Sequence, residues 1–286
     1  MSTRLAPRAR VEGQTPSRPS RGLLSVASVV EYDLPIRWGA GAVVDPFPCG
    51  TAEVWTPDCD DLGADNPKPP DEMGPADGGV EFDPFHVIFL DACSTLGRAP
   101  TADQDAAARA SFDAAEDQAI EAEFWTGTIA SGNPALAAAE TVEAGDPAGI
   151  VDALGQLEEA IAGTARTGVI HVTPTAAVWL ARYHLITLAG ARMVTPLGTP
   201  VAIGTGYPGT GPGGTPAPAG SSWMYATGAV RIHRAPVQVL HDVDHEINRE
   251  VVRVEREVLV EYDTCIRFAQ LAGHGEAVVP EITSGS

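Results

Sequence analysis

A chain of 286 residues, 44% apolar and 20% charged, can bury a sizeable core as one large domain or two ordinary ones, which excludes a largely disordered protein. Its formal charge of −20 repels phosphate backbones and excludes a sequence-specific nucleic-acid binder. No apolar run approaches the roughly 20 residues that span a bilayer, and the first 22 residues lack a secretory core, so the chain reads as soluble, intracellular and without a membrane partner.

Residues 1–22 are rich in Pro, Ser and Arg. Arg4, Arg8, Arg10, Arg18 and Arg21 stand against Glu12 alone, a net of +4 that leaves −24 for the remainder. This composition predicts a flexible arm, the only part suited to touching nucleic acid. Apolar patterns from Leu23 to Val30 and from Ile36 to Val44 predict short strands. Residues 45–84 are dense in Pro, Gly and Asp, and twelve acidic residues fall between Asp45 and Asp91 with Lys68 the only base. About forty such residues do not suit the inside of a compact domain; the segment is either disordered or an extended excursion that leans on something outside its own subunit.

His86 to Leu90 predicts a buried strand. Pro100 and Thr101 then open a helix to about Trp125, capped by Thr101 or Asp103. Ala108, Phe112, Ala115, Ala119, Ile120 and Phe124 form its apolar stripe, and its length is about 36 Å, that of a spine. Its acids, Glu116, Asp117, Glu121 and Glu123, lack a Glu-x-x-His companion and read as a solvated face rather than a carboxylate metal site. A second helix follows Asp146 and Pro147, with Ile150, Leu154, Leu157 and Ile161 as its core face, and stops at Gly163. Val169–Val172 is a strand, and Thr173 with Pro174 starts a third helix through about Leu185. Short strands near Met193 and Val201 precede a Gly/Pro loop from Gly204 to Gly220. In the last quarter, Met224, Ala226, Val230 and Ile232 alternate with more polar neighbours. Val252, Val254, Val258, Val260 and Tyr262 then define one face of a long strand, with Arg253, Glu255, Glu257 and Glu261 on the other and Arg256 interrupting the apolar side. The tail after Gly273 reads as loose.

The chemical motifs do not assemble into a site. Gly204-Thr-Gly-Tyr-Pro-Gly209 has the letters of a dinucleotide fingerprint, but the glycines and prolines behind it forbid the helix that a pyrophosphate needs, so it reads as a loop at the tip of a domain. His241-Asp-Val-Asp-His245 offers two imidazoles for a metal but no third ligand, and reads as a solvated turn or short helix. His171 reads as a satisfied core histidine, and no nucleophile elbow is present. Cys49, Cys59, Cys93 and Cys265 are too few and too dispersed for a disulfide scaffold or a zinc site and read as small buried apolar residues. No catalytic residue, metal or cofactor is assigned.

The order of these elements resembles the Hong Kong-type capsid fold of tailed phages and encapsulins. Glu121-Ala-Glu-Phe-Trp-Thr-Gly127 resembles the end of its spine helix. Val169-Ile-His-Val-Thr-Pro174 and Leu197-Gly-Thr-Pro-Val201 resemble its axial domain. Trp223, Ala226–Arg231, Arg253–Glu257 and Cys265–Leu271 resemble its return into the peripheral domain. The chain is also similar to structural proteins of actinobacterial phages. The resemblance implies an α+β chain with an N-terminal arm (1–35), an extended loop (36–85), a peripheral domain with the spine helix (86–146), an axial domain (147–222), return strands (223–275) and a tail (276–286). It implies no enzyme but a major capsid protein, found in the virion and assembled in the host cytoplasm. Pentamers and hexamers would build an icosahedral phage head around DNA, with scaffold, portal or decoration proteins as further partners. Arg37, Arg98, Arg231 and Arg253 become candidates for pairing with a neighbour's acidic loop, and Gly204, Gly206, Gly209 and Gly213 become an axial loop near the symmetry axes. Some relatives cross-link a loop lysine to an asparagine; Lys68 and Asn248 would be that pair, but without a matching motif Lys68 reads as solvated. The alternatives are an encapsulin-like compartment, a tail or decoration component, and a metal-dependent enzyme using His241 and His245.

Overall fold

The structure is a computed structural model and describes residues 14–17, 20–33, 41–44, 49, 79–93, 102–142, 146–244 and 249–274. Its longest strand, β14 (Arg249–Tyr262), organises a five-stranded sheet. It pairs antiparallel with β4 (Phe85–Cys93), and also with β13 (Gln238–Asp244) over its first half and β12 (Val230–Arg234) over its end. β1 (Ser28–Glu31) adds to β12 in parallel. The predicted alternation holds: Val252, Val254, Val258, Val260 and Tyr262 are all buried. They pack with Ala108, Phe112, Ile120 and Phe124 of α2 (Ala102–Thr126), a 25-residue helix roughly 38 Å long.

The second sheet has eight strands. β7 (Val169–Val172), β10 (Pro200–Ile203), β11 (Ser221–Thr227) and β15 (Arg267–Gly273) form its middle, and β8 (Thr187–Ala189) with β9 (Arg192–Val194) closes one side. β5 (Glu140–Thr141) and β6 (Ala148–Gly149) add to β15. Because strand side chains alternate, each strand feeds two cores. Ile170, Val172, Met224 and Ala226 meet α3 (Ile150–Gly163) and α4 (Pro174–Arg182), whereas Val169 and Tyr225 join the core of α2. The α3 face Ile150, Leu154, Leu157 and Ile161 is buried as its spacing predicts. Thr173 caps α4, its Oγ1 accepting from Ala176 N at 3.3 Å, with Pro174 in the first turn.

Several expectations are corrected. The segment Leu23–Val26 is a one-turn helix, α1, rather than a strand, because Leu23 and Val26 bury one face together. β4 is buried on one side only: α2 covers Val87, while Ile88 and Leu90 are 50% and 61% exposed. α4 stops at Arg182, where His184 takes a left-handed conformation (φ 57°) and turns the chain. Ala115 and Ala119 lie outside the buried stripe of α2 and are exposed. Cys49 and Cys265 form a disulfide across 216 positions, with Cα atoms 5.4 Å apart, where small apolar residues are expected. Of the extended excursion, the described residues supply its base, an antiparallel pair of β2 (Ala42–Val44) and β3 (Val80–Phe82), plus Cys49. The rest of 45–78, the expected cap Thr101 and the side chain of the other, Asp103, lie outside the described residues.

Trp125 ends α2 fully buried against the rings of Tyr207 and Tyr225, 4.9 and 4.6 Å away, and its Nε1 donates to Thr210 O at 3.0 Å. Trp125→Ala should cost about 3–5 kcal/mol in urea unfolding. Trp125→Phe keeps a ring, and Tyr225 Oη still donates to Thr210 O, so it should cost only about 1–2 kcal/mol. Equal losses in the two variants would show that packing at this position is not what joins the helix to the second sheet.

Candidate functional site

The acids of α2 are not a solvated face. Glu116, Asp117, Glu121 and Glu123 are all buried; two of them, Glu116 and Glu121, hold distant parts of the chain. Glu116 lies four residues from both Phe112 and Ile120, inside the apolar stripe, and is 0% exposed. Its Oε2 accepts from Arg234 Nη1 and its Oε1 from Arg256 Nη1, both at 3.1 Å. Glu31 of β1 also pairs with Arg234, and its Oε2 stands 3.6 Å from Arg256 Nη1. Two carboxylates and two guanidiniums thus join β1, α2, β12 and β14. Arg256 interrupts the apolar face of β14 because Glu116 waits beneath it.

Glu121 makes a second node from backbone donors. Its Oε1 accepts from Leu23 N at 2.8 Å and its Oε2 from Gly206 N at 2.9 Å, fastening α1 and the loop after β10 to the helix. Burial pushes its carboxyl pKa up, and the Gly206 and Leu23 amides pull it back. Approach this close explains two glycines. A Cβ on Gly22 would meet Glu121 Oε1 at 2.0 Å, and one on Gly206 would meet Gln118 O at the same distance. Glu123 Oε1 accepts from Ile129 N and Ala130 N at 2.9 and 2.8 Å and fixes the turn after the helix.

The glycine string 204–209 is therefore a contact strip along α2 rather than a free tip. Gly204 makes room for the Tyr207 ring, and Gly209 and Gly213 take φ of 73° and 68°. His171 is the satisfied core histidine expected: its Nδ1 bonds Tyr207 Oη at 2.9 Å and its Nε2 bonds Thr227 Oγ1 at 2.8 Å. Burial lowers its pKa to about 3, so it stays neutral. His241 lies on the exposed strand β13, not on a turn or helix, with Nε2 3.6 Å from Asp105 Oδ2. His245 lies outside the described residues, among which no group of three or more His, Cys, Asp and Glu is placed to hold a metal ion.

Of the candidate contact residues, Arg37, Lys68, Arg98 and Asn248 lie outside the described residues. Arg231 pairs with Glu261 of its own chain and Arg253 with Glu255, both at 3.1 Å, with side chains 57% and 46% exposed. They stand on different strands and are not brought together. On the α3 side, the buried Glu158 accepts from Thr195 Oγ1 at 2.5 Å and Thr199 Oγ1 at 2.7 Å, and so braces the turn that presents Leu197, 78% exposed. No helix of the described residues is long and apolar enough to cross a membrane.

Removing Glu116 leaves two guanidiniums sharing only the half-exposed Glu31, so Glu116→Ala should destabilise by about 3 kcal/mol, and replacing both arginines by methionine in that background should recover much of the loss. A second test uses pH. The His233 hydrogen bond, and after it Arg231, holds the Glu261 carboxyl below 4.5. A depressed folded pKa contributes stability above 4.5 that disappears as pH falls through the lowered value. As pH falls below 4.5, wild type should lose stability more steeply than Glu261→Gln in a denaturation series, the slope difference reporting this one group.

No protein-family description and no curated protein matches the chain. Solved structures do. The capsid of an empty GTA particle aligns over 94% of this chain and 95% of its own, with a TM-score of 0.55 and 15% identity. The capsid of a native GTA particle aligns over the same shares, with a TM-score of 0.52 and 14% identity. Aligned over nearly its whole length with these capsids, this chain has the Hong Kong-type capsid fold.

Proposed function

We propose that this chain is a major capsid protein. Copies of it assemble into pentamers and hexamers of an icosahedral phage head around DNA, and its role is structural rather than catalytic. The observation that carries the reading is that one fold, shared with assembled capsids, accounts for 94% of the chain. The site itself supports it: the buried acids of α2 are engaged in holding the subunit together, where an enzyme would aim some of them at a substrate. The β2–β3 pair supports it too, because it brackets residues 45–79, an acidic stretch in which Lys68 is the only base.

In this reading the main partners are other copies, joined by scaffold, portal or decoration proteins. Packaged DNA touches the shell only by proximity, since the −24 outside the arm repels phosphate. Arg37, Arg98, Arg231 and Arg253 contribute pairs to a neighbour that are worth about 0–1 kcal/mol each and act through number. The exposed outer part of the glycine loop, Gly213 with its neighbours, lies toward the symmetry axes, and assembly takes place in the host cytoplasm.

Electron microscopy of the expressed full chain tests this directly. Closed icosahedral particles are the expected result, and a chain that stays monomeric under every assembly condition sinks the proposal. Tubes would indicate a tail component, and shells enclosing a protein cargo an encapsulin-like compartment. Arg231→Glu with Arg253→Glu should change unfolding of the isolated chain by no more than about 1 kcal/mol while reducing particle yield severalfold. An unchanged yield would remove these two arginines from the interface.

A further inference from the structure

Between the β2–β3 hairpin and the body lies a cavity of about 330 Å³. Val44, Val80 and Phe82 line it from the hairpin, and Tyr262, Asp263 and Thr264 line it from the turn between β14 and β15. The hairpin's two strands are held unequally. Phe82 of β3 is buried edge-to-face on Tyr262, with centroids 6.1 Å apart. Among the described residues β2 pairs only with β3, over three positions, and Val43 is exposed. Five residues beyond Val44, Cys49 reaches across to Cys265, next to Thr264 of the opposite wall. The bond therefore straps the weakly held strand to the body.

Its two ends differ. Cys265 sits on a turn fixed from below: its N–H donates to Asp263 Oδ1 at 3.1 Å, and Asp263 Oδ2 accepts from Arg166 Nη1 at 2.6 Å. Cys49 is exposed. A disulfide with one end on a fixed turn and the other on an exposed residue is open to thiol exchange, unlike a bond sealed in a core.

We propose that Cys49–Cys265 is a reversible redox clasp that sets whether β2 is fastened to the body. To close it, the Cys49 thiolate attacks a low-molecular-weight disulfide, forming a mixed disulfide and releasing one thiol. The Cys265 thiolate then attacks Cys49 Sγ and releases the second thiol. The two cysteines are oxidised by two electrons, the small disulfide is reduced by two, and the two cysteine protons end on the released thiols. A chain made in a reducing compartment holds both thiols, and transfer to an oxidising medium closes the clasp. The inference goes beyond the shell reading and does not need it; within a shell, the clasp would fix the hairpin from which the loop departs only after subunits have met.

The test uses the purified full chain, reduced with a phosphine or oxidised with glutathione disulfide, followed by peptide mapping and amide hydrogen exchange. Oxidation should yield the Cys49–Cys265 cross-linked peptide and slow exchange at Ala42–Val44 by about tenfold or more, while the β14 core stays unchanged. Cys49→Ser and Cys265→Ser should each exchange like reduced wild type and ignore the oxidant. Pairing through Cys59 or Cys93 would overturn the proposal, as would a Cys49–Cys265 bond that forms without altering exchange at 42–44. These readouts are taken on the chain itself, so they separate failure of the clasp from failure to form particles.

Discussion

The structure depends on carboxylates that a helix buries. An isolated ionised side chain in a low-dielectric interior is too costly to persist, so each one dictates what must surround it. Glu116 requires Arg234 and Arg256, which stand 118 and 140 positions away. Glu121 requires backbone donors from Leu23 and Gly206, one on the N-terminal side of the helix and one far beyond its C-terminal end. Together they leave α2 one seat in the fold. An all-apolar stripe of the same volume would have equal or greater stability but would tolerate rotation and sliding of a straight helix on a flat sheet. The charged nodes do not.

Around this helix the two sheets divide the work. Strand alternation sends Tyr225 toward Trp125 and its neighbours Met224 and Ala226 toward α3, so β11 belongs to two cores at once and cannot move with one alone. The body is therefore stiff. What projects from it is small and separately braced: the turn at Leu197 held by Glu158, the exposed side of β4, and the β2–β3 hairpin. A stiff body with braced projections suits contacts repeated identically between many copies, because little conformational entropy is lost at each one.

How much of this could be read from the residues follows from the range of each interaction. Period-2 alternation in β14, the face of α3, the Thr173-Pro174 start of α4 and the neutral core His171 are local patterns, and all were legible. The fate of the α2 acids was not, since the burial of Glu116 and Glu121 depends on partners between 85 and 140 residues distant. Two signals pointed there: Glu116 lies one turn from both Phe112 and Ile120, and Arg256 breaks an otherwise apolar strand face, which calls for a buried anion. The glycines at 204 and 206 carried the letters of a phosphate loop for a different reason, the close approach of a backbone to Gln118 and of a ring to Gly204. Cys49 and Cys265 are 216 positions apart, and no spacing rule connects cysteines over that distance.

The charge balance constrains how copies of this chain can meet. The ionic node at Glu116 matches two carboxylates with two guanidiniums and is internally neutral, so the net −20 resides elsewhere, largely on surface. Identical acidic surfaces repel, and at physiological salt that repulsion is screened only beyond about 8 Å. Long-range attraction between copies must therefore come from the one oppositely charged piece, the arm of net +4, whose end is fastened where Ile203 N donates to Arg21 O at 2.8 Å. At contact distance apolar burial adds to any charge pairs, and Ile88, Leu90 and Leu197 are large side chains already exposed for it. Raised salt screens the acidic repulsion and the arm's attraction alike while leaving apolar contact intact, so association should fall less steeply with salt than in an assembly held by ion pairs alone.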